Sequence, residues 1–124
     1  MWYYCKVESK IKIEIFSFGF KYGQPLANFY FDVSFLPNPA RLPGKFLTDE
    51  LDDEMRKYVL QNENTKELIT RLVNFIEFIS SFDVIKVGVG CNSGRHRSVI
   101  VVTEISNRLH ELGMDHKVIH RDLF

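Results

Sequence analysis

Eight consecutive residues, Cys91-Asn92-Ser93-Gly94-Arg95-His96-Arg97-Ser98, concentrate most of the chemistry that this chain can do. One short segment holds a thiol, two guanidinium groups, an imidazole, a carboxamide and two hydroxyls. Gly88, Gly90 and Gly94 let the backbone turn tightly and bring amide donors close to a ligand. Apolar residues flank the segment, Val84 to Val89 before it and Val99 to Val102 after it, so it reads as the turn from a buried strand into a buried helix. A helix start presents unpaired amides and a partial positive charge, and arginine can grip two phosphate oxygens at once. All eight residues are therefore candidate ligands for an oxyanion. The competing account is a plain turn with solvated arginines. Three adjacent basic groups at a helix start favour the anion site.

Magnitudes limit what such a loop does alone. Helix-end attraction contributes about 0.3–2 kcal/mol, and each charge-assisted hydrogen bond about 1.5–3 kcal/mol. Two or three of these, less ordering costs, reach the roughly 4 kcal/mol of millimolar affinity. The loop is an anchor, and other segments must read the rest of the ligand.

Motif spacing narrows the chemistry. A Walker A loop needs G-x-x-x-x-G-K-[ST], and the chain has neither that glycine spacing nor the lysine. A dinucleotide fingerprint needs G-x-G-x-x-G, whereas Gly88, Gly90 and Gly94 leave one residue too many. Cys91-x-x-Gly94-x-x-Arg97-Ser98 does match the Cys-x5-Arg loop of cysteine-dependent phosphatases, in which a thiolate attacks phosphorus. Cys91 is the nucleophile on that reading. The histidine that usually precedes it is Gly90 here, and the general acid is unassigned among Asp49, Asp52 and Asp53. No residue is otherwise assigned a catalytic role.

The elements that must position this loop follow from periodicity. Lys10 to Phe18 alternates, with Lys10, Lys12 and Glu14 on one face and Ile11, Ile13 and Ile15 on the other, as in a half-buried strand. Phe29 to Val33 is a second strand, Val84 to Val89 a third and Lys117 to His120 a fourth. Prolines at 37, 39 and 43 forbid regular structure between about Phe35 and Phe46, a loop long enough to be functional. Thr48 is expected to cap a short helix with Asp49, Glu50, Asp52 and Asp53 in its first turn. Asn64 and Glu67 resemble a capping box for a longer helix with an apolar stripe of Leu68, Leu72, Phe75, Ile76 and Ile79. From Ser98 to Leu112 the β-branched run alone suggests a strand, but the stripe at 102, 105, 109 and 112 and the following Gly113 favour a helix. The expected fold is α/β: one domain, residues 1–124, with a small, mostly parallel sheet of about four strands packed by about three helices. In such sheets ligands bind at the carboxyl ends of strands, and the Cys91 loop falls there.

Composition removes other classes. The 124 residues carry zero formal net charge, so no global field draws the chain onto nucleic acid or acidic lipid, and any anion site must be local. Cys5 and Cys91 lie far apart, which points away from a disulfide scaffold and towards a reducing compartment; Cys5 is expected to be an inert or partly buried thiol. The amino terminus lacks the layout of a signal peptide, and no apolar run approaches the roughly 20 residues that span a bilayer, so a cytoplasmic protein without membrane contact is expected. His116 and His120 have zinc-like spacing, but on a strand they lie about 13 Å apart, so no metal and no cofactor are expected. The 11 phenylalanines are expected mainly in the core. Phe18-Gly19-Phe20-Lys21-Tyr22-Gly23 is weighed as an RNA-stacking strand and preferred as a glycine-permitted loop.

Four ordered motifs give a resemblance. Phe18-Gly19-Phe20-Lys21-Tyr22-Gly23, then Phe31-Asp32-Val33-Ser34-Phe35-Leu36-Pro37-Asn38-Pro39, then Gly90-Cys91-x-x-Gly94-x-His96-Arg97-Ser98, then His120-Arg121-Asp122-Leu123 occur in one order. From about Ile15 to Leu123 the chain resembles the C-terminal domain of the bacterial RapZ/YvcJ family. The family's N-terminal P-loop domain is not part of the match, so nucleotide hydrolysis is not carried over. The resemblance implies a regulatory binding module that senses glucosamine-6-phosphate and, in some bacteria, binds small RNAs. It places the pocket at Asp32, Cys91, Asn92, Ser93, Gly94, His96 and Arg97; Arg95 and Ser98 complete the loop. Lys21, Tyr22, Asn38, His120 and Arg121 form a candidate outer ring. Asp32 either pairs with an amine or hydroxyl of the sugar or caps a turn. His120-Arg121 either approaches the anion or pairs Arg121 with a carboxylate. Two departures stand out: Ser34 where the family pattern has arginine, and Asn92-Ser93 where Thr-Gly is usual. A sugar phosphate is thus the first expected partner, with a protein partner and a homo-oligomer open. RNA ranks last, because RNA-binding members continue into a basic tail and phosphate neutralisation supplies most such affinity.

Overall fold

A computed structural model describes residues 11–123; Cys5 and the first residue of the expected Lys10–Phe18 strand lie outside the described residues. Strand β1 is Ile13–Gly19, β2 is Phe29–Asp32, β3 is Ile85–Cys91 and β4 is Lys117–His120, with helices α1 (Asp53–Leu60), α2 (Glu63–Ser80) and α3 (Arg97–Glu111). The four strands form one wholly parallel sheet in the order β2-β3-β1-β4.

Topology dictates where the helices lie. The steps from β2 to β3 through α1 and α2, and from β3 to β4 through α3, run the same way across the sheet. Right-handed crossovers in one direction place their helices on one face. Burial agrees: Ile13, Ile15, Val87 and Val89 from the sheet join Val59, Ile69, Leu72, Ile76, Ile100, Ile105 and Leu109 from the helices in one hydrophobic cluster. The opposite face carries Phe18 and Tyr30, with the Phe20 ring packed edge-on to Phe18 at 4.8 Å.

Local details correct the sequence reading. Asp52, rather than Thr48, caps α1, its carboxylate accepting from the Met55 amide, so Asp49 and Glu50 stay outside the helix. Asn62, rather than Asn64, caps α2, and the buried face shifts to Ile69, Leu72, Val73 and Ile76. Both misreadings have one cause: several capping residues stand within a few positions, and packing decides which one sets the start. Residues Val99–Val102 are helical despite their strand preference because all four are buried by tertiary packing, Ile100, Val101 and Val102 within the main core cluster. The core does not take every phenylalanine either. Phe35, Phe46, Phe78 and Phe82 are exposed, the first two on the proline-rich loop beside the site. No helix among the described residues is long and apolar enough to cross a membrane.

Candidate functional site

The central strand β3 ends at Cys91, and the chain then turns through Gly94 (φ +75°) into α3 at Arg97. Gly94 could carry no side chain. A Cβ there would stand 2.5 Å from the Gly19 amide nitrogen and 2.7 Å from the Phe18 carbonyl carbon. Backbone therefore packs on backbone between the loop and the end of β1. The Lys21 amide adds a bond to the Asn92 carbonyl (3.2 Å).

His96 precedes α3 without supplying a side-chain cap. The hydrogen bonds among the described residues leave the amides of Gly94, Arg95, His96, Arg97 and Ser98 without an acceptor. Uncapped amides at a helix start are the donors that anions use. The imidazole is held by a distant stretch of backbone: its Nε2 lies 2.7 Å from the Asp49 carbonyl. A carbonyl only accepts, so Nε2 carries a proton. Arg97 reaches back across the sheet end, its Nη1 donating to the carbonyls of Ser34 and Leu36 (3.3 Å to the latter). No ion pair among the described residues involves Arg97, so its charge is not neutralised by the protein. The Cys91 thiol is buried and donates to Ser98 Oγ at 3.3 Å.

These groups surround a cavity of about 90 Å³ lined by Asn38, Leu47, Cys91, Asn92, Ser93, His96 and Arg97. Its wall contains no carboxylate. An open groove of about 550 Å³ adjoins it through Asn38 and Leu47 and continues along Ala40, Arg41, Lys45 and Phe46. Asn38 braces the junction by accepting the Ala40 amide (3.1 Å).

Other sequence candidates are engaged elsewhere. Asp32 accepts the Ser34 amide at 2.9 Å, a local turn cap. Arg95 faces a separate cavity and donates to the Thr48 carbonyl (3.2 Å). Lys21 and Tyr22 are exposed and stack on each other, ammonium to ring centroid 5.3 Å. His120 pairs with buried Ser17 (2.7 Å), and its pKa is held below the ordinary value by burial and then by the Arg56 charge. Arg121 grips the Asp122 carboxylate with two nitrogens (3.1 and 2.8 Å) and donates to the Gly23 carbonyl. Burial raises the Asp122 pKa, but Arg121 and the Gly19 amide (2.7 Å) outweigh it and hold the carboxyl below its ordinary range. The His-Arg-Asp-Leu segment thus clamps the end of β1. Sequence reasoning missed Leu47 in the cavity wall and the Thr48 and Asp49 carbonyls that hold Arg95 and His96. Those contacts span 47 positions of chain, which no local motif encodes.

Among the described residues no cluster of His, Cys, Asp or Glu could hold a metal ion. Fold and site together define a two-layer α/β domain with a loop of uncapped amides and two arginines at the carboxyl end of the inner strand β3. The RapZ C-terminal domain family matches residues 11–124, and the chain belongs to that family. It is 40% identical over 127 residues to a nucleotide-binding protein of Clostridium novyi, covering 95% of this chain and 42% of that protein. Proteins of the same description from Thermodesulfovibrio yellowstonii and Geobacter sulfurreducens are 39% and 37% identical, each covering 90% of this chain and 42% of the relative. The chain thus spans about two fifths of the length of these relatives.

Proposed function

We propose that this protein is a regulatory domain that binds a phosphorylated metabolite, with the phosphoryl group held by the Cys91–Ser98 loop. The observation that carries this reading is a cavity lined by Cys91, Asn92, Ser93, His96 and Arg97, free of carboxylate, beside a helix start whose amides are uncapped. At about 90 Å³ it has room for several waters or one tetrahedral oxyanion. That is far below the roughly 300 Å³ at which sites for larger organic ligands begin. The remainder of the ligand lies in the adjoining groove, where Phe46 and Leu47 offer an apolar platform and Arg41 and Asn38 offer donors. A hexosamine phosphate such as glucosamine-6-phosphate suits that division: an anionic end, a compact ring with one apolar face, and hydroxyls.

Binding is favoured over phosphatase chemistry. A phosphatase needs a general acid near the leaving oxygen. Two of the three acids proposed for that task are engaged, Asp49 with the Phe46 amide (2.8 Å) and Asp52 with Lys45 (2.6 Å) and the Met55 amide, while Asp53 is exposed in the first turn of α1 and does not line the cavity. The residue before the cysteine is also closed to histidine, since a Cβ at Gly90 would stand 2.5 Å from the Phe20 ring. RNA remains the weaker alternative, because the chain carries no net charge to supply phosphate neutralisation. A protein partner that reads the occupied state is expected.

Thermal denaturation with glucosamine-6-phosphate and inorganic phosphate in parallel tests the reading. Ligand at 100 times its dissociation constant adds about 2.7 kcal/mol. The sugar phosphate should stabilise more than phosphate, and Arg97→Ala should abolish both gains. Equal stabilisation by the two would remove the sugar. No stabilisation by either, or a gain that survives Arg97→Ala, would remove the site. Phosphate release that disappears in Cys91→Ser would replace binding with catalysis.

A further inference from the structure

We propose that the cavity between α1 and the Arg95 edge of the loop is a second ligand site, for a small molecule that joins an oxyanion (carboxylate or phosphate monoester) to an apolar body. This cavity has a volume of about 260 Å³ and shares no lining residue with the Cys91 cavity. The segment Thr48–Asp49 is the partition between them: the Asp49 carbonyl takes the His96 imidazole and the Thr48 carbonyl takes Arg95.

Two guanidinium groups, Arg56 and Arg95, line the second cavity, and neither forms an ion pair among the described residues. The Nε of Arg95 is buried and has no hydrogen-bond partner among the described residues. Buried donors in native proteins are almost always satisfied, and one that is not marks a place where an acceptor belongs. An oxyanion is the acceptor that matches a guanidinium edge, because Nε–H and Nη–H donate side by side.

The rest of the wall sets the body of the ligand. Leu51, Val99 and Leu123 supply apolar surface. The volume lies slightly below the roughly 300 Å³ of drug-sized pockets, so the molecule is small. Two carboxylates also line the space. Asp49 is already engaged by the Phe46 amide (2.8 Å), while Glu50 is exposed. Glu50 would repel a highly charged polyanion, which restricts the site to one anionic group. Sequence reasoning placed Arg95 with the loop's other anion ligands; the structure divides the loop's two arginines between two cavities.

The test follows the Arg95 Nε–Hε resonance of the nitrogen-15-labelled chain during titration with phenyl phosphate, with isovalerate, and with neutral isovaleramide. At least one anion should move it saturably at roughly millimolar concentration, and the amide should not. Which anion does so distinguishes phosphate from carboxylate. Arg56→Gln should weaken the response by about tenfold or more, the loss of one charge-assisted contact. In the same variant, movement of the Gly94 and Ser98 amides by inorganic phosphate should be unchanged, which also shows that the variant is folded. The proposal is overturned by no saturable movement with either anion, by equal movement with the amide, or by unchanged affinity in Arg56→Gln. Because the two sets of resonances report on separate cavities, failure here is distinguishable from failure of the phosphate site.

Discussion

Two basic segments, Arg95-His96-Arg97 and His120-Arg121, look alike as sequence, and the folded chain uses them in opposite ways. Arg121 is consumed inside the protein by the Asp122 carboxylate and the Gly23 carbonyl, and His120 by Ser17. Among the described residues Arg95 and Arg97 are held only by backbone carbonyls, and no carboxylate neutralises their charge. Carbonyl partners orient a guanidinium without neutralising it, whereas a carboxylate partner removes its attraction for a ligand. The segment closing β4 is therefore a brace, and the one entering α3 is, on the proposed function, a cradle. Being basic and near the site does not distinguish them; the charge of the first partner does.

The brace and the cradle meet at Gly94, so breaking that contact should have the largest effect. Gly94→Ala must place a Cβ against the Gly19 amide and the Asp122 Cβ while keeping φ at +75°. Left-handed strain and overpacking each cost about 1–3 kcal/mol. Loss of about 3 kcal/mol or more in urea unfolding is expected, together with loss of phosphate binding. A stable variant with normal binding would show that loop and strand end are not locked together.

This meeting explains what was legible in the sequence. The parallel sheet, its four strands and the turn into α3 follow from the alternation in Ile13 to Phe18, the apolar run to Val89 and the stripe along α3, all of which are local patterns. The composition of the Cys91 cavity was legible because five of its residues are consecutive or nearly so. What was not legible depends on distant backbone. The Asp49 carbonyl that orients His96, the Thr48 carbonyl under Arg95 and the Asp122 carboxylate on the Gly19 amide join segments 47 to 103 positions apart. Asp32 shows the same limit from the other side. Its chemistry suits a sugar amine, yet its nearest donor is the Ser34 amide two residues on. Capping positions failed for a related reason: Thr48, Asp49 and Asp52 are all competent caps, and Met55 and Val59 had to be buried for Asp52 to be chosen.

Charge removal on each side sharpens the comparison. Arg121→Ala strips a nearly buried Asp122 of its partner and should destabilise the chain by about 2–3 kcal/mol, with affinity for inorganic phosphate unchanged in the folded fraction. Arg97→Ala removes only part-buried hydrogen bonds to the carbonyls of Ser34 and Leu36. It should cost about 1 kcal/mol of stability while phosphate binding is lost. Urea unfolding and phosphate titration of both variants test the pair. If Arg121→Ala weakened binding as much as Arg97→Ala did, the division into brace and cradle would fail.

The smallest effect expected is in pH, and it belongs to the brace. Burial first, and the Arg56 charge second, hold the His120 pKa below its ordinary value of 6.5. A pKa lowered by folding means that the unfolded chain binds the proton more readily. The stability this gives is present above 6.5 and is lost as pH falls through the lowered value. Asp122 has the same sign further down. Burial raises its pKa, Arg121 and the Gly19 amide more than compensate, and its contribution is present above the ordinary 3.8 and lost below it. Unfolding free energy should therefore decline as pH falls below the ordinary histidine value of 6.5, then decline again below the ordinary aspartate value of 3.8. His120→Gln should flatten the first decline and leave the second, while Arg121→Ala should shrink the second. A first decline that persists in His120→Gln would assign it to another group and leave the Ser17–His120 pair without a role in the pH response. The same decline removed by Arg56→Gln, with His120 intact, would place the cationic neighbour ahead of burial as its cause.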